Sequence, residues 1–160
     1  MNDGSSQTRT NVFVSYSRVD RKFLDELHFH LAFYIRTGLI TSWDDSKIRP
    51  GSEWRKDIAH AVNTAKIAVF LVDANFFASD FIEEFELAPI LKAAEQHEVT
   101  VFSVVLGPCV FNDTPLSKYQ TINAPSSPLN MMSRGKRDAV WVALAKAIKN
   151  ELDVAAKNKV

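Results

Sequence analysis

Apolar runs and amphipathic stretches alternate along the chain. Three short runs are almost wholly apolar and predict buried strands, namely residues 11–16 (NVFVSY), 67–72 (IAVFLV) and 100–106 (TVFSVVL). A weaker strand is predicted over residues 39–42 and an edge strand over 129–131. Apolar positions with a period of 3.6 residues predict helices over residues 20–38, 54–65, 80–96 and 135–152, and a short helix is predicted over 116–120. Pro89 is expected to kink the third of the long helices because proline has no backbone N–H.

This order of elements predicts the fold class. Strands and helices alternate about five times, which is typical of an α/β protein with a parallel sheet covered on both faces. We therefore predict a flavodoxin-like, doubly wound, five-stranded parallel sheet of order 2-1-3-4-5. In such a sheet, ligands bind beyond the carboxyl ends of the strands, between the loops that follow the first and third strands. Those loops hold Ser17, Arg18 and Asp73, and the site should lie there.

The length of the chain sets its domain organisation. A chain of 160 residues can form one domain with a sizeable core and is too short for two ordinary domains. Residues 1–10 are polar and are expected to form a disordered lead-in. We place the domain at residues 11–152 and a frayed tail at 153–160.

Charge and cysteine content narrow the partners and the compartment. Lys and Arg together number 19, as do Asp and Glu, so no overall field favours nucleic acid or an anionic membrane. The first ten residues hold no apolar leader, and the longest apolar runs, of about six residues, are far shorter than a membrane span. The single cysteine, Cys109, excludes an internal disulfide and fits a reducing compartment. We expect a soluble, cytoplasmic protein without a nucleic-acid or membrane partner.

The loop from Trp43 to Trp54 (WDDSKIRPGSEW) is unusually long for an α/β connection, which commonly takes about 2–6 residues. Pro50 fixes its own φ, Gly51 tolerates a positive φ, and Ser52 is suited to cap the next helix. A long, shaped loop that carries a tryptophan, two carboxylates and an arginine is more often functional than a simple connector.

Glu86 is the candidate catalytic carboxylate. It shares the i±4 row of its predicted helix with Ile82 and Ile90, and no Lys or Arg stands three or four residues away. An unpaired carboxylate on an apolar row near a binding crevice is a functional candidate, since desolvation perturbs its ionisation. The alternative is a glutamate on the rim of the crevice whose partner lies elsewhere in the fold.

Several other classes of site lack their motifs. No GxGxxG or Walker loop is present, so neither a Rossmann dehydrogenase nor an NTPase is supported. With four scattered histidines and one cysteine we expect no metal site. Asp73 also stands where a response-regulator receiver carries its phosphorylated aspartate, but a receiver needs an acidic pair after the first strand, and only Asp20 is available.

Four stretches of the sequence resemble the boxes of a Toll/interleukin-1 receptor (TIR) domain of bacterial type. They are NVFVSYS, WDDSKIRPGSEWRKDIAHAV, IAVFLVDANFFASDFI and RDAVWVALAKAI, and the match spans residues 11–152. The second box is the most specific, because Trp43-Asp44, Ile48 and Pro50-Gly51 stand at the family's spacing ahead of the Trp54 helix. TIR domains have the fold predicted above. They include enzymes that cleave NAD+ at the nicotinamide–ribose bond and non-catalytic adaptors that pair TIR to TIR.

The resemblance implies an NAD+ glycohydrolase or cyclase, with NAD+ as substrate and no further cofactor. Its products would be nicotinamide and either ADP-ribose or a cyclic isomer, in signalling or in defence against phage, and self-assembly would activate it. Glu86-Leu87 is the best match to the catalytic motif of the family. Ile82 occupies the position where the family has Trp, Phe81 is the nearest aromatic residue, and the spacing from Ser79 to Glu86 is one residue longer. The alternative is a non-catalytic interaction module.

The site residues expected on these grounds fall into three groups. Glu86 would stabilise the positive charge that develops on the ribose. Arg49, Pro50 and Gly51 would form a loop that packs on a neighbouring TIR domain. For the aromatic residues, packing in the core or anchoring of the loop remains an alternative. The expected substrate-binding residues are Tyr16, Ser17, Arg18, Trp43, Asp44, Asp73 and Phe81.

Overall fold

The computed structural model describes residues 9–48 and 50–157, and for Trp43 it describes the backbone alone. The strands are β1 (Asn11–Ser15), β2 (Ser42–Trp43), β3 (Ala65–Val72), β4 (Thr100–Val105) and β5 (Gln120–Thr121). The α-helices are α1 (Arg21–Arg36), α2 (Trp54–Thr64), α3 (Ala74–Phe77), α4 (Asp80–Ile82), α5 (Ala88–Glu95) and α6 (Arg134–Lys157), with a π-helical turn (Glu83–Leu87) between α4 and α5. Short 3-10 turns cover Arg18–Asp20, Asp45–Lys47, Phe111–Asp113, Pro115–Lys118 and Leu129–Met131.

The strands form a parallel sheet of order β2-β1-β3-β4-β5, in which the two edge strands have only two residues each. The predicted class, an α/β protein with a parallel sheet and helices, is confirmed. β3 is the central strand, and its continuous apolar sequence follows from burial on both faces. Ile67, Val69 and Leu71 face the side covered by α1 and α6. Ala68, Phe70 and Val72 face the side covered by α2 and α5.

Both edge strands lie away from their predicted positions. β2 begins at Ser42 rather than Leu39, because the amides of Leu39 and Ile40 donate to Tyr34 O (2.9 and 3.2 Å) and so complete the turn that ends α1. Residues 129–131 are a 3-10 turn instead of an edge strand. In a strand, Leu129 and Met131 would point to the same face, but Leu129 is buried and Met131 is exposed.

The two ends of the described chain are more ordered than the sequence predicts. Of the expected lead-in, residues 1–8 lie outside the described residues, whereas Arg9 Nη1 donates to Val62 O (2.9 Å) and Ala65 O (3.0 Å). α6 continues through the expected frayed tail to Lys157, and Lys149 Nζ lies 2.9 Å from Asp153 Oδ2 one turn away. Within the described ranges, no helix is both long and apolar enough to cross a membrane.

The predicted third helix is interrupted by the π-helical turn. Ser79 caps its start, with Oγ accepting from the Ile82 amide at 3.2 Å. In the turn that follows, the Ala88 amide donates to Glu83 O five residues earlier, which is the π pattern. The irregular turn ends two residues before Pro89, the residue expected to kink the helix. Glu86 lies inside it, and π-helical turns occur frequently at functional sites.

Candidate active site

A cleft of about 390 Å³ opens where β1 ends. Its walls come from the loop after β1, from the 3-10 turn Asp45–Lys47 in the long loop, and from α4 with the π-helical turn. The cleft therefore lies at the carboxyl edge of the sheet, where a doubly wound fold binds its ligands. The lining residues are Tyr16, Ser17, Arg18, Asp45, Ser79, Phe81, Ile82 and Glu86.

Glu86 is a buried carboxyl group in the wall of this cleft. Only 4% of the residue is exposed, and its Oε1 accepts a hydrogen bond of 2.5 Å from Ser15 Oγ at the end of β1. Among the described residues it has no ion-pair partner. Burial raises the pKa of Glu86 to about 7; the Ser15 hydroxyl opposes this rise, Asp45 adds to it, and Arg18 opposes it. The group thus changes charge near neutral pH.

Asp45 organises the mouth of the cleft. Its Oδ2 lies 3.3 Å from Nε of Arg18, whose side chain is largely exposed. Burial, together with a hydrogen bond to Asp45, raises the pKa of Tyr16, so the phenol stays neutral. One carboxylate therefore holds both an arginine and a tyrosine at the entrance, beside Glu86.

Asp44, which is predicted to bind substrate, does not line the cleft. It is fully buried, lies 2.9 Å from His28 Nε2, and accepts from the amide (2.9 Å) and the hydroxyl of Ser46. Burial alone would raise the pKa of Asp44, but the hydrogen bonds from His28 and Ser46 outweigh it and hold that pKa below its usual value. Asp44 thus fixes the long loop to α1, and this places its neighbour Asp45 in the cleft.

Asp73 is also absent from the lining of the cleft. Its carboxylate caps α3, accepting from the Phe76 amide at 3.0 Å, and it faces the buried carboxyl of Asp20. The pKa of Asp20 is raised to about 7, first by burial and then by the hydrogen bond and charge of Asp73, while Asn75 and Lys22 oppose the rise. The two carboxyls form an internal pair at the ends of β1 and β3.

The predicted aromatic residues differ in their surroundings. Phe81 lines the cleft and also packs against the rings of Trp54 and Phe85, with centroids 5.4 and 5.1 Å away. Tyr16 lines the cleft and belongs to the core as well, so the two interpretations of this residue are compatible. The side chain of Trp43 lies outside the described part of the structure.

The predicted interaction loop is only partly described. Arg49 lies outside the described residues, Pro50 is exposed in a turn, and Gly51 has φ +81°. That conformation strains residues with a Cβ, which accounts for glycine at this position.

Sequence reasoning missed Ser15 and Asp45. The sequence marks two carboxylates side by side, but it does not say which one faces inward to His28 and which one faces the cleft. Ser15 lies 71 residues from Glu86 along the chain, and nothing local in the sequence signals that pairing.

The parallel sheet and the cleft at its carboxyl edge define an α/β domain of the kind that binds ligands beyond β1 and β3. The family model for the TIR domain matches residues 12–150. The chain belongs to the TIR domain family, as its sequence boxes predict.

Two known proteins show how far the similarity extends. An uncharacterized protein of Sinorhizobium fredii, y4lF, is 28% identical over 139 residues, which is 87% of this chain and 42% of that protein. The chain thus spans about two fifths of the curated relative that it matches. The crystal structure of the TIR domain of the Toll-related receptor TRR-2 from Hydra magnipapillata superposes with a TM-score of 0.54 at 17% identity, covering 86% of this chain and 97% of that one. This second likeness shows the fold.

Proposed function

We propose that this TIR domain is an NAD+ glycohydrolase or cyclase, which releases nicotinamide and forms ADP-ribose or a cyclic isomer. The observation that supports it is the placement of Glu86, a carboxyl that is almost fully buried, lies in the wall of a 390 Å³ cleft and accepts from the Ser15 hydroxyl. A buried carboxyl with a perturbed pKa beside an open cleft is typical of catalytic sites.

The chemistry needs one such carboxylate. Breaking the bond between nicotinamide and C1′ of the ribose builds positive charge on the sugar, as in glycoside hydrolysis, and a nearby carboxylate stabilises that charge. Nicotinamide leaves as a neutral molecule, so no second carboxyl has to protonate it. Water attacking C1′ gives ADP-ribose, and an adenine nitrogen of the same molecule gives a cyclic isomer; in either case one proton is released to solvent.

The charge of Glu86 sets the expected pH dependence. The ionised form of Glu86 stabilises the developing cation, and the pKa of Glu86 in the protein without substrate is raised to about 7. The kcat/KM for NAD+ should therefore rise with pH through about 7 and level off above it. The cationic nicotinamide ring favours the ionised carboxylate, so bound substrate should shift the profile of kcat toward lower pH.

The other cleft residues suit the remaining parts of NAD+. Arg18 is exposed at the mouth and offers a guanidinium to the diphosphate, with Ser17 beside it. The rings of Tyr16 and Phe81 offer faces on which a base can stack. Asp45 restrains Arg18 and Tyr16, so it acts on the substrate through them.

The experiment is NAD+ turnover at high protein concentration, with the products resolved by chromatography. Wild type is compared with Glu86→Gln, which keeps the shape of the side chain and removes its charge, and with Glu84→Gln as the matched control on the exposed side of the same π-helical turn. Loss of nicotinamide release in Glu86→Gln but not in Glu84→Gln would support the proposed enzymatic activity. Equal turnover by wild type and Glu86→Gln would refute the role of this carboxylate.

One observation favours a second function, a TIR–TIR interaction module. Ile82 places an aliphatic wall in the cleft where the family's enzymes carry Trp. An adaptor would use the loop around Pro50 and Gly51 without needing Glu86, whereas an enzyme gated by assembly would need both. Pro50→His and Gly51→Ala should impair self-association in either case. Intact self-association of wild type without any turnover would favour the module.

A further inference from the structure

A groove of about 390 Å³ lies beside α4, separate from the cleft that holds Glu86. Its walls come from α3, α4, the π-helical turn and the 3-10 turns that follow β4. Ser79 and Ile82 line both the groove and the cleft, so α4 stands between the two cavities. We call this second cavity the α4 groove. The residues that give it its chemical character are Phe76, Asp80, Ile82, Glu83, Leu87 and Asp113.

The α4 groove combines an apolar floor with an acidic rim. The floor consists of three buried side chains, those of Phe76, Ile82 and Leu87. The rim consists of three exposed carboxylates, those of Asp80, Glu83 and Asp113. None of these carboxylates forms an ion pair within the described part of the chain, and the described residues that line the groove include no Lys, Arg or His. A ligand that complements this surface needs both an apolar body and positive charge.

The rim carboxylates are spread around the groove rather than gathered at one point. Within the described residues, no three acidic, histidine or cysteine side chains lie close enough together to hold a metal ion. A single small cation would therefore meet one carboxylate at a time, and it would gain nothing from the apolar floor. A linear molecule with several amines can reach all three carboxylates. Its hydrocarbon segments can lie over the floor, as the stem of a lysine side chain lies over apolar surface.

We propose that the α4 groove binds an aliphatic polyamine, with its ammonium groups at the three rim carboxylates and its methylene segments over the floor. The size of the groove favours a small molecule, because small-molecule sites commonly have volumes of ~300–1,000 Å³. A stable protein interface buries ~800 Å² on each partner, which is more than a groove of this size offers. The proposal does not depend on the enzymatic activity, since Glu86 lines the cleft and not the groove.

Isothermal titration calorimetry of the whole chain tests this proposal, with the linear triamine spermidine as the probe. Removing the charge of one rim carboxylate, in Asp80→Asn, Glu83→Gln or Asp113→Asn, should weaken binding about threefold, because each exposed ion pair contributes little alone. The triple variant should bind at least about tenfold more weakly than wild type. Raising the salt concentration from about 0.05 M to about 0.5 M should also weaken binding by wild type, since salt screens exposed charges.

The matched control is Glu84→Gln. Glu84 follows Glu83 directly in the π-helical turn and is also exposed, but it does not line the groove. The two variants therefore remove the same charge from neighbouring positions, and Glu84→Gln should bind spermidine like wild type. Amide chemical shifts locate the bound probe: we expect spermidine to shift signals from residues 76–87 and 111–116. Shifts confined to the loop after β1 and to Asp45 would instead place the probe in the cleft and overturn the proposal.

Two further ligands separate a polyamine site from simpler explanations. Mg²⁺ supplies positive charge without an apolar body, and hexylamine supplies an apolar chain with a single charge. Both should bind at least about tenfold more weakly than spermidine. Equal binding of Mg²⁺ would show general attraction of cations, and equal binding of hexylamine would show a site for one ammonium group, so either result would overturn the proposal. It would also be overturned if wild type bound no spermidine at millimolar concentration, or if Glu84→Gln weakened binding as much as Glu83→Gln does.

Discussion

The burial of Glu86 should cost the domain stability, and the cost should depend on pH. The pKa of this carboxyl is raised from its ordinary 4.5 to about 7, chiefly by burial. At ~1.36 kcal/mol for each pKa unit, the difference corresponds to about 3 kcal/mol. Because the folded state holds its proton to higher pH than the unfolded state does, the free energy of unfolding falls as pH rises from 4.5 to about 7. Above 7 the penalty is complete and constant.

Glu86→Gln removes this ionisation and keeps the volume of the side chain. We expect the variant and wild type to have similar free energies of unfolding at pH 4.5. By pH 8 the variant should be more stable than wild type by about 3 kcal/mol. Under the proposed function, Glu86 would exchange stability for activity.

Urea unfolding of both proteins at several pH values between 4.5 and 8.5 measures this difference. Other groups that titrate near neutrality, such as Asp20, are present in both proteins and cancel in the comparison. Glu84→Gln is the control, because Glu84 is exposed and its replacement should give no difference that grows with pH. A stability difference between Glu86→Gln and wild type that is flat across the pH range would refute the argument from desolvation.

Three further predictions concern neighbouring groups. Ser15→Ala removes the hydroxyl that lowers the pKa of Glu86, so the rise of kcat/KM with pH should move upward by roughly one pH unit, as measured in steady-state NAD+ turnover. Asp20→Asn removes one carboxyl of the pair with Asp73. The variant should be more stable than wild type above pH 7, where wild type carries the penalty of a raised pKa, but not at pH 4. Urea unfolding at both pH values measures this difference, and equal effects at the two pH values would contradict the prediction. Gly51→Ala should lower the free energy of unfolding by about 1–2 kcal/mol through backbone strain alone, because φ is +81° and an added methyl meets no atom within 4 Å; an unchanged urea midpoint would contradict it.

The sequence predicts the centre of the sheet better than its edges, and hydrogen bonding explains why. β3 is buried on both faces, so its apolar run is a strong local signal. β2 and β5 have two residues each, and their limits depend on which neighbouring amides are already engaged, as those of Leu39 and Ile40 are with Tyr34. Apolar patterning carries no information about that competition.

The candidate site, too, can be predicted from the sequence only in part. Glu86 stands out because no cation is near it along its helix, which is a local property of the sequence. The partner of Glu86, Ser15, comes from a distant strand, and the choice between Asp44 and Asp45 depends on a histidine of α1. These contacts arise from tertiary packing, so they require the folded structure.

The π-helical turn gives this domain a way to tolerate insertion. In a regular α-helix, residues five positions apart point about 140° away from each other, so Phe81 and Glu86 would lie on different sides. Here both line the cleft, because the π-helical turn holds one more residue than an α-helical turn does. The extra residue of the π-helical turn is accommodated locally, and Ile90, Ala93 and Ala94 of α5 still pack in the core. Loss or gain of a single residue at this point of the chain would thus rotate the cleft wall against a fixed scaffold.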